Sequence, residues 1–209
     1  MAAPTALTDL SSTLVADTST VINVIATGCA EAILSALPNR VVVVDVVPSE
    51  LDIGRARGHP HADRLRQLVD GAFIEIVSLG EHGMQVFENL VVGTAAETLD
   101  DGEAGTIAYA FEHSAVALID ERKAVRICAE RYPALFTAST ADVLLHPHVA
   151  KALGREPLAD AVYCALRVGR MRVLPHYVDV VVTLIGPARA AECRSLPKRA
   201  RSVPYEAAN

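Results

Sequence analysis

Short apolar runs alternate along this chain with longer segments whose apolar residues have helical spacing. The runs are rich in Val, Ile, Leu and Ala and predict buried strands at 13–17, 41–45, 73–77, 116–119 and 135–137. The segments between them predict helices at 18–25, 30–37, 62–70, 81–92, 100–113 and 121–131. This alternation predicts the α/β class, with a three-layer α/β/α sandwich around a central parallel sheet.

The pattern changes after Gly154, where two apolar helices are expected without a strand between them. We therefore divide the chain into a sandwich domain, a helical extension and a tail. The tail carries several prolines and basic residues and is expected to be poorly ordered. The predicted ranges are 13–150 for the domain, 151–186 for the C-terminal helices and 187–209 for the basic, flexible tail.

Four acids lie at or near predicted changes from strand to helix: Asp17, Glu50, Glu103 and Asp120. In a parallel sheet these changes fall on one edge, where ligands bind outside the carboxyl ends of the strands. Carboxylates gathered there repel one another unless a cation neutralises them. The usual cation with oxygen ligands is Mg²⁺ or Mn²⁺. Such a cluster suits metal-assisted hydrolysis of a phosphodiester.

Composition narrows the function and the compartment. The formal net charge of −6 argues against a strongly basic nucleic-acid coat, although basic rims can still hold phosphates around an acidic site. Four cysteines without a CxxC pair indicate reduced thiols. Residues 1–12 lack the pattern of a signal peptide, and the apolar run 178–185 is too short to span a bilayer. We therefore expect a cytoplasmic protein without membrane contact.

Four segments, in this order and spacing, resemble the PIN domain, the metal-dependent nuclease fold of VapC-type toxins. The resemblance covers roughly residues 13–150, and the Asp-Gly-Glu-Ala and Ile-Asp-Glu-Arg-Lys-Ala sequences are similar to one PIN subgroup more than to the typical toxin. The segments are Val15–Asn23, Val46–Leu51, Leu99–Ala108 and Ala117–Ala124.

The resemblance implies that the acidic quartet of the family falls on the four acids named above, as catalytic and metal-binding residues. The supporting positions would be Ser19, Asn23 and Thr140. Ile119 replaces a polar residue common before the last acid, so Glu121 stays open as an alternative to Asp120. The third acid is Glu103 where the family more often has Asp.

The resemblance further implies a Mg²⁺- or Mn²⁺-dependent endoribonuclease in which an activated water attacks phosphorus and leaves a 3′-hydroxyl and a 5′-phosphate. The protein would be the toxin of a toxin–antitoxin pair, inhibited by a small antitoxin, and a homodimer. RNA phosphates would contact the basic residues that flank the acidic segments: Arg55, Arg57, Arg122 and Lys123.

Three alternatives remain at this point. Each acid alone can be an ordinary helix N-cap or first-turn acid. The chain can be a PIN-fold binding or scaffold protein that has lost catalysis. It can also be a receiver-like signalling domain, although a phosphorylatable Asp with its late Lys cannot be placed in the sequence.

Overall fold

The computed structural model describes residues 7–55 and 60–202, with only the backbone of residue 55. Five parallel strands form its central sheet, in the order β3-β2-β1-β4-β5. This confirms the predicted three-layer α/β/α architecture with a parallel sheet. The strands are β1 (Leu14–Ala16), β2 (Val41–Val44), β3 (Glu75–Val77), β4 (Val116–Leu118) and β5 (Thr137–Ala138).

Helices connect the strands and continue after β5. Those up to β5 are α1 (Thr18–Ala26), α2 (Ala30–Ala36), α3 (Val46–Arg55), α4 (His61–Asp70), α5 (Glu81–Val91), α6 (Asp101–Glu112) and α7 (Arg122–Arg131). Those after β5 are α8 (Thr140–Leu144), α9 (Pro147–Leu153), α10 (Arg155–Arg167), α11 (Val178–Ile185), α12 (Pro187–Glu192) and α13 (Lys198–Arg201), with a 3₁₀ turn at Pro175–Tyr177.

Alternate residues of the strands pack into two apolar layers, one on each face of the sheet. Leu14 and Val43 pack on one face of the sheet, while Val15 and Val42 pack on the other. The strands are apolar on both faces because helices cover both, which is why they appear in the sequence as continuous Val-rich runs.

The order of the strands places a switch in direction between β1 and β4. From β1 the chain proceeds to β2 and β3 on one side, and later returns to β4 and β5 on the other. In such sheets the carboxyl ends of the two strands at the switch frame a crevice. Asp17 directly follows β1, and Asp120 lies two residues beyond β4, so both acids stand at this crevice.

The C-terminal segments differ from the division expected from the sequence. The core on one face of the sheet includes Val162 and Leu166 of α10 and Val181 of α11, so no break in the core falls at residue 150. Residues 187–202, expected as a poorly ordered tail, form α12 and α13. Apolar residues recur among the arginines there and are buried: Ala190, Cys193 and Leu196.

Within the described ranges, no single helix has the length and apolar character needed to cross a membrane. The pair α1 and α2 meets that test only when taken together, and it is bent by 112°.

Candidate functional site

A cavity of about 300 Å³ lies at the switch between β1 and β4. We call it the acidic pocket, because its wall contains all four of the acids predicted from the sequence: Asp17, Glu50, Glu103 and Asp120. Ser19, Asn23 and Glu121 also line it, as do residues that the sequence analysis had not assigned to a site: Thr18, Ile22, Asp100, Gly169, Arg170 and Arg172.

Asp17 caps α1 and is also buried in the pocket. Its carboxylate accepts a hydrogen bond from the Thr20 backbone N–H at 2.7 Å and from the Ser19 hydroxyl at 2.8 Å. The side chain is only 2% exposed, however. Burial, and then the negative charge of Asp120, raise the pKa of Asp17 to about 7. An N-cap needs neither that burial nor a second carboxylate beside it.

Asp120 is held from two sides by side chains of other elements. The Thr140 hydroxyl donates to its Oδ2 at 2.6 Å, and the Thr140 backbone N–H donates to its Oδ1 at 2.8 Å. Asn23 Nδ2 donates to Oδ2 at 2.9 Å. Burial nevertheless raises the pKa of Asp120, and the charge of Asp142 adds to that rise. Asn23 and Thr140 therefore orient this carboxylate.

Glu50 reaches the pocket from α3 and is anchored at the start of α6. Its carboxylate accepts hydrogen bonds from the Thr18 hydroxyl and, at 2.9 Å, from the Gly102 backbone N–H. A Cβ at residue 102 would lie 2.6 Å from the Glu50 carboxylate and 2.9 Å from the Thr18 hydroxyl. A side chain at residue 102 would therefore displace the Glu50 carboxylate or the Thr18 hydroxyl from this position. Burial and the charge of Asp100 raise the pKa of Glu50.

Glu103 lies in the first turn of α6, whose N-cap is Asp100. The Asp100 carboxylate accepts the Glu103 backbone N–H at 2.9 Å. Burial raises the pKa of the Glu103 carboxyl to about 7, with smaller contributions from the charges of Asp100 and Asp17. Asp100 thus caps α6, and the same turn places Glu103 in the acidic pocket.

The other residues that the sequence analysis assigned to the site differ in where the structure places them. Glu121 caps α7 with its backbone and forms an ion pair with Arg172 at the rim, so Asp120 is the acid that lies deeper. Arg122 is exposed beside Asp120. Lys123 donates to the Ala95 carbonyl at 2.7 Å and lowers the pKa of Glu103 slightly. The Arg55 side chain and the whole of Arg57 lie outside the described residues.

Nothing in the sequence indicated that Gly169 and Arg170 belong to a site; they only follow a predicted helix. A Cβ at residue 169 would lie 2.6 Å from Asn23 Oδ1, so this turn approaches the pocket closely. Only tertiary packing brings the end of α10 to this place, which is why local patterns did not reveal it.

The donor chemistry of the pocket fits a hard divalent cation. Apart from the guanidinium groups of Arg170 and Arg172, the side-chain polar groups of its wall include carboxylate, hydroxyl and amide oxygens, which Mg²⁺ and Mn²⁺ prefer. Asn23 Oδ1 is buried and has no hydrogen-bond partner among the described residues. In the described part of the chain, no three Asp, Glu, His or Cys side chains are grouped as ready metal ligands. The carboxylates of Asp17, Glu50 and Asp120 accept hydrogen bonds from protein donors. Burial, with a smaller contribution from neighbouring carboxylates, raises the pKa of these three acids and of Glu103.

A family model described as a PIN domain matches residues 13–186, which include every strand and the helices from α1 to α11. No curated protein and no solved structure matches the chain. PIN domains are in general nucleases that act on RNA and typically use divalent metals.

Proposed function

The chain belongs to the PIN-domain family, and from that premise we propose that it is a metal-dependent endoribonuclease. One observation carries the proposal: four carboxylates from separate segments line one cavity at the switch of the sheet. Isolated helix caps give no reason for Asp17, Glu103 and Asp120 to be buried in the same place.

We assign the binding of Mg²⁺ or Mn²⁺ to Asp17 and Asp120, with Glu103 completing the site and Glu50 orienting a water or a second ion. A divalent cation bound there would make water more acidic and would offset charge on the phosphate oxygens. Asn23 and Thr140 act by orienting Asp120, and Ser19 by orienting Asp17. Burial raises the pKa of Glu103 to about 7 before a cation binds, so binding of a cation there would release a proton near neutral pH.

An inactive PIN-fold binding or scaffold protein is the second candidate. Two observations favour it. Both oxygens of Asp120 accept hydrogen bonds from Thr140, one of them also from Asn23, and no ready ligand group is present in the described structure. In that case the carboxylates would be a relic of the family site, and RNA binding would not lead to cleavage.

Cleavage of a mixed RNA pool by the purified protein separates these two functions. The wild type is incubated with Mn²⁺ or Mg²⁺ and, in parallel, with EDTA. Asp17→Asn is the test variant, since Asn caps a helix about as well as Asp. Asp52→Asn is the matched control, because Asp52 is an exposed residue of α3 that pairs with Arg66.

We expect cleavage that requires the metal, is lost in Asp17→Asn and is unchanged in Asp52→Asn. Fragment ends with a 5′-phosphate would support the predicted direction of attack. Equal cleavage by the wild type and Asp17→Asn would contradict the assignment, and RNA binding without cleavage would favour the scaffold.

The cellular role extends this proposal on the strength of the family resemblance. We propose a cytoplasmic toxin that pairs with a small antitoxin and forms a homodimer. The described cysteines are all free thiols, as a reducing compartment allows.

Met84 of α5 and Phe111 of α6 are exposed on adjacent helices and are the face we assign to the dimer. Sedimentation of the wild type and Met84→Glu tests that contact, and growth on co-expression with a neighbouring short reading frame tests the antitoxin.

A further inference from the structure

A second and larger cavity opens beside the acidic pocket. Its volume is about 1160 Å³, and it shares Asp120, Arg170 and Arg172 with the wall of the acidic pocket. We call it the arginine groove, after the side chains that line it: Arg122, Arg167, Arg170, Arg172 and Arg194. Because the two cavities share wall residues, a chain lying in the groove would reach the acidic carboxylates.

Several of these guanidinium groups lack a carboxylate partner. Arg167 pairs with Glu192, and Arg172 pairs with Glu121. In residues 7–55 and 60–202, no ion pair is formed by the other three, which are Arg122, Arg170 and Arg194. Unpaired guanidinium groups that face a common space form a site suited to phosphate, whose oxygens accept their planar donors in pairs.

The segment after α10 is built to present two of these arginines. Met171 and Val173 are buried in the core, whereas Arg170 and Arg172 alternate with them and are exposed. Both arginines therefore lie on the solvent side of this segment, while Met171 and Val173 anchor it to the core. Arg170 also has a φ of 59°, a left-handed conformation that costs energy for a residue other than glycine. Such strain persists where surrounding structure enforces it, often at functional sites.

We propose that the arginine groove binds the phosphodiester backbone of single-stranded RNA and leads it across the acidic pocket. The inference rests on the proposed function, which supplies the RNA. The volume of the arginine groove exceeds that of a usual small-molecule pocket, so the groove has room for several nucleotides. With a net charge of −6 the protein as a whole repels RNA, and a local cationic groove is therefore needed beside the carboxylates.

Equilibrium binding without metal tests the groove independently of cleavage. The probe is a fluorescent oligouridylate of about twelve nucleotides, within the usual range of single-strand sites. Its affinity for the full chain is measured by anisotropy in EDTA over a series of salt concentrations. Arg170→Asn and Arg194→Gln are the test variants, because Asn tolerates the left-handed backbone at residue 170. Arg40→Gln is the matched control: Arg40 precedes β2, at the opposite edge of the sheet, and pairs with Glu75.

We expect each test variant to bind RNA more weakly and to reduce the slope of log affinity against log salt by about 0.7, the value for one phosphate contact on a single strand. Arg40→Gln should keep the slope of the wild type. Arg170→Asn should also unfold at the same or a higher temperature, since it relieves the left-handed arginine, so weaker binding would not reflect misfolding.

The proposal would be overturned by no RNA binding by the wild type, by an unchanged slope in both test variants, or by equally tight binding of a Glu-rich peptide through the same arginines. Single-stranded DNA of matching sequence serves as a further probe, and a clear preference for it over RNA would also overturn it. Failure of the nuclease proposal has a different signature, namely RNA bound through the groove but not cleaved when metal is present.

Discussion

The acidic pocket and the arginine groove share Asp120, yet they are built in opposite ways. In the pocket the carboxylates are buried or half-buried, and those of Asp17, Glu50 and Asp120 already accept hydrogen bonds from hydroxyl and amide donors. In the groove the guanidinium groups are exposed, and three of them have no acidic partner in the described structure. Buried like charges favour a compact, desolvated cation, whereas exposed, spaced cations favour an extended polyanion. The two regions therefore predict different defects when they are mutated.

Removing a pocket carboxylate should have the largest effect. Asp120→Asn is expected to lower kcat for RNA cleavage by orders of magnitude, because it removes a charge that binds the cation. Asp160→Asn, an exposed change on α10 at the partner of Arg189, should leave kcat unchanged. Steady-state rates on a labelled RNA with Mn²⁺ measure both, and a normal kcat in Asp120→Asn would break the distinction between the two regions.

Burial of acids also predicts how stability depends on pH. The pKa of Asp17 rises from 3.8 to about 7 on folding, so the folded state holds a proton more tightly than the unfolded state. Metal-free wild type should therefore lose stability as pH rises through the window between those values, by the order of a few kcal/mol. In Asp17→Asn the side chain at residue 17 cannot ionise, so this variant should lose less stability than the wild type over the same pH range. Unfolding in EDTA across that pH range measures the difference, and parallel curves for both proteins would contradict it.

Asn23 should have an intermediate effect, because it acts through Asp120. Asn23→Ala removes the 2.9 Å hydrogen bond to Asp120. Loss of such an outer partner typically weakens metal affinity or activity about 10–100-fold. The Mn²⁺ concentration for half-maximal cleavage should rise, and excess Mn²⁺ should restore most of kcat. If Asn23 were only a packing residue, added Mn²⁺ would restore nothing.

The groove arginines should have the smallest effect on the chemistry itself. Arg194→Gln is expected to raise KM several-fold while kcat changes little, since a phosphate contact far from the cut binds the ground and transition states equally. Arg40→Gln provides the same change of charge at the opposite edge of the sheet. A fall in kcat without a change in KM would place Arg194 with the catalytic machinery.

The same contrast explains what the sequence could predict. Asp17 lies between the end of β1 and the start of α1, and Glu103 lies in the first turn of α6. Such positions leave local patterns of apolar runs and caps in the sequence. The groove has no such pattern: Arg170 and Arg194 meet only because α10 and the segment after α12 fold onto the core. The prediction of a flexible tail was wrong for residues 187–202 for a related reason. Prolines and arginines dominate its composition, while the spacing of Ala190, Cys193 and Leu196, which buries one face, is a weaker signal.

The central claim is that the acidic pocket is a cation site, and Mn²⁺ binding measured by calorimetry tests it most directly. We expect wild type to bind Mn²⁺ with proton release, and with an affinity that rises as pH passes about 7, the pKa of Asp17 and Glu103 without metal. Asp17→Asn should lose this binding, and Asp52→Asn should keep it. Absence of Mn²⁺ binding by the wild type, or equal binding by Asp17→Asn, would contradict the account.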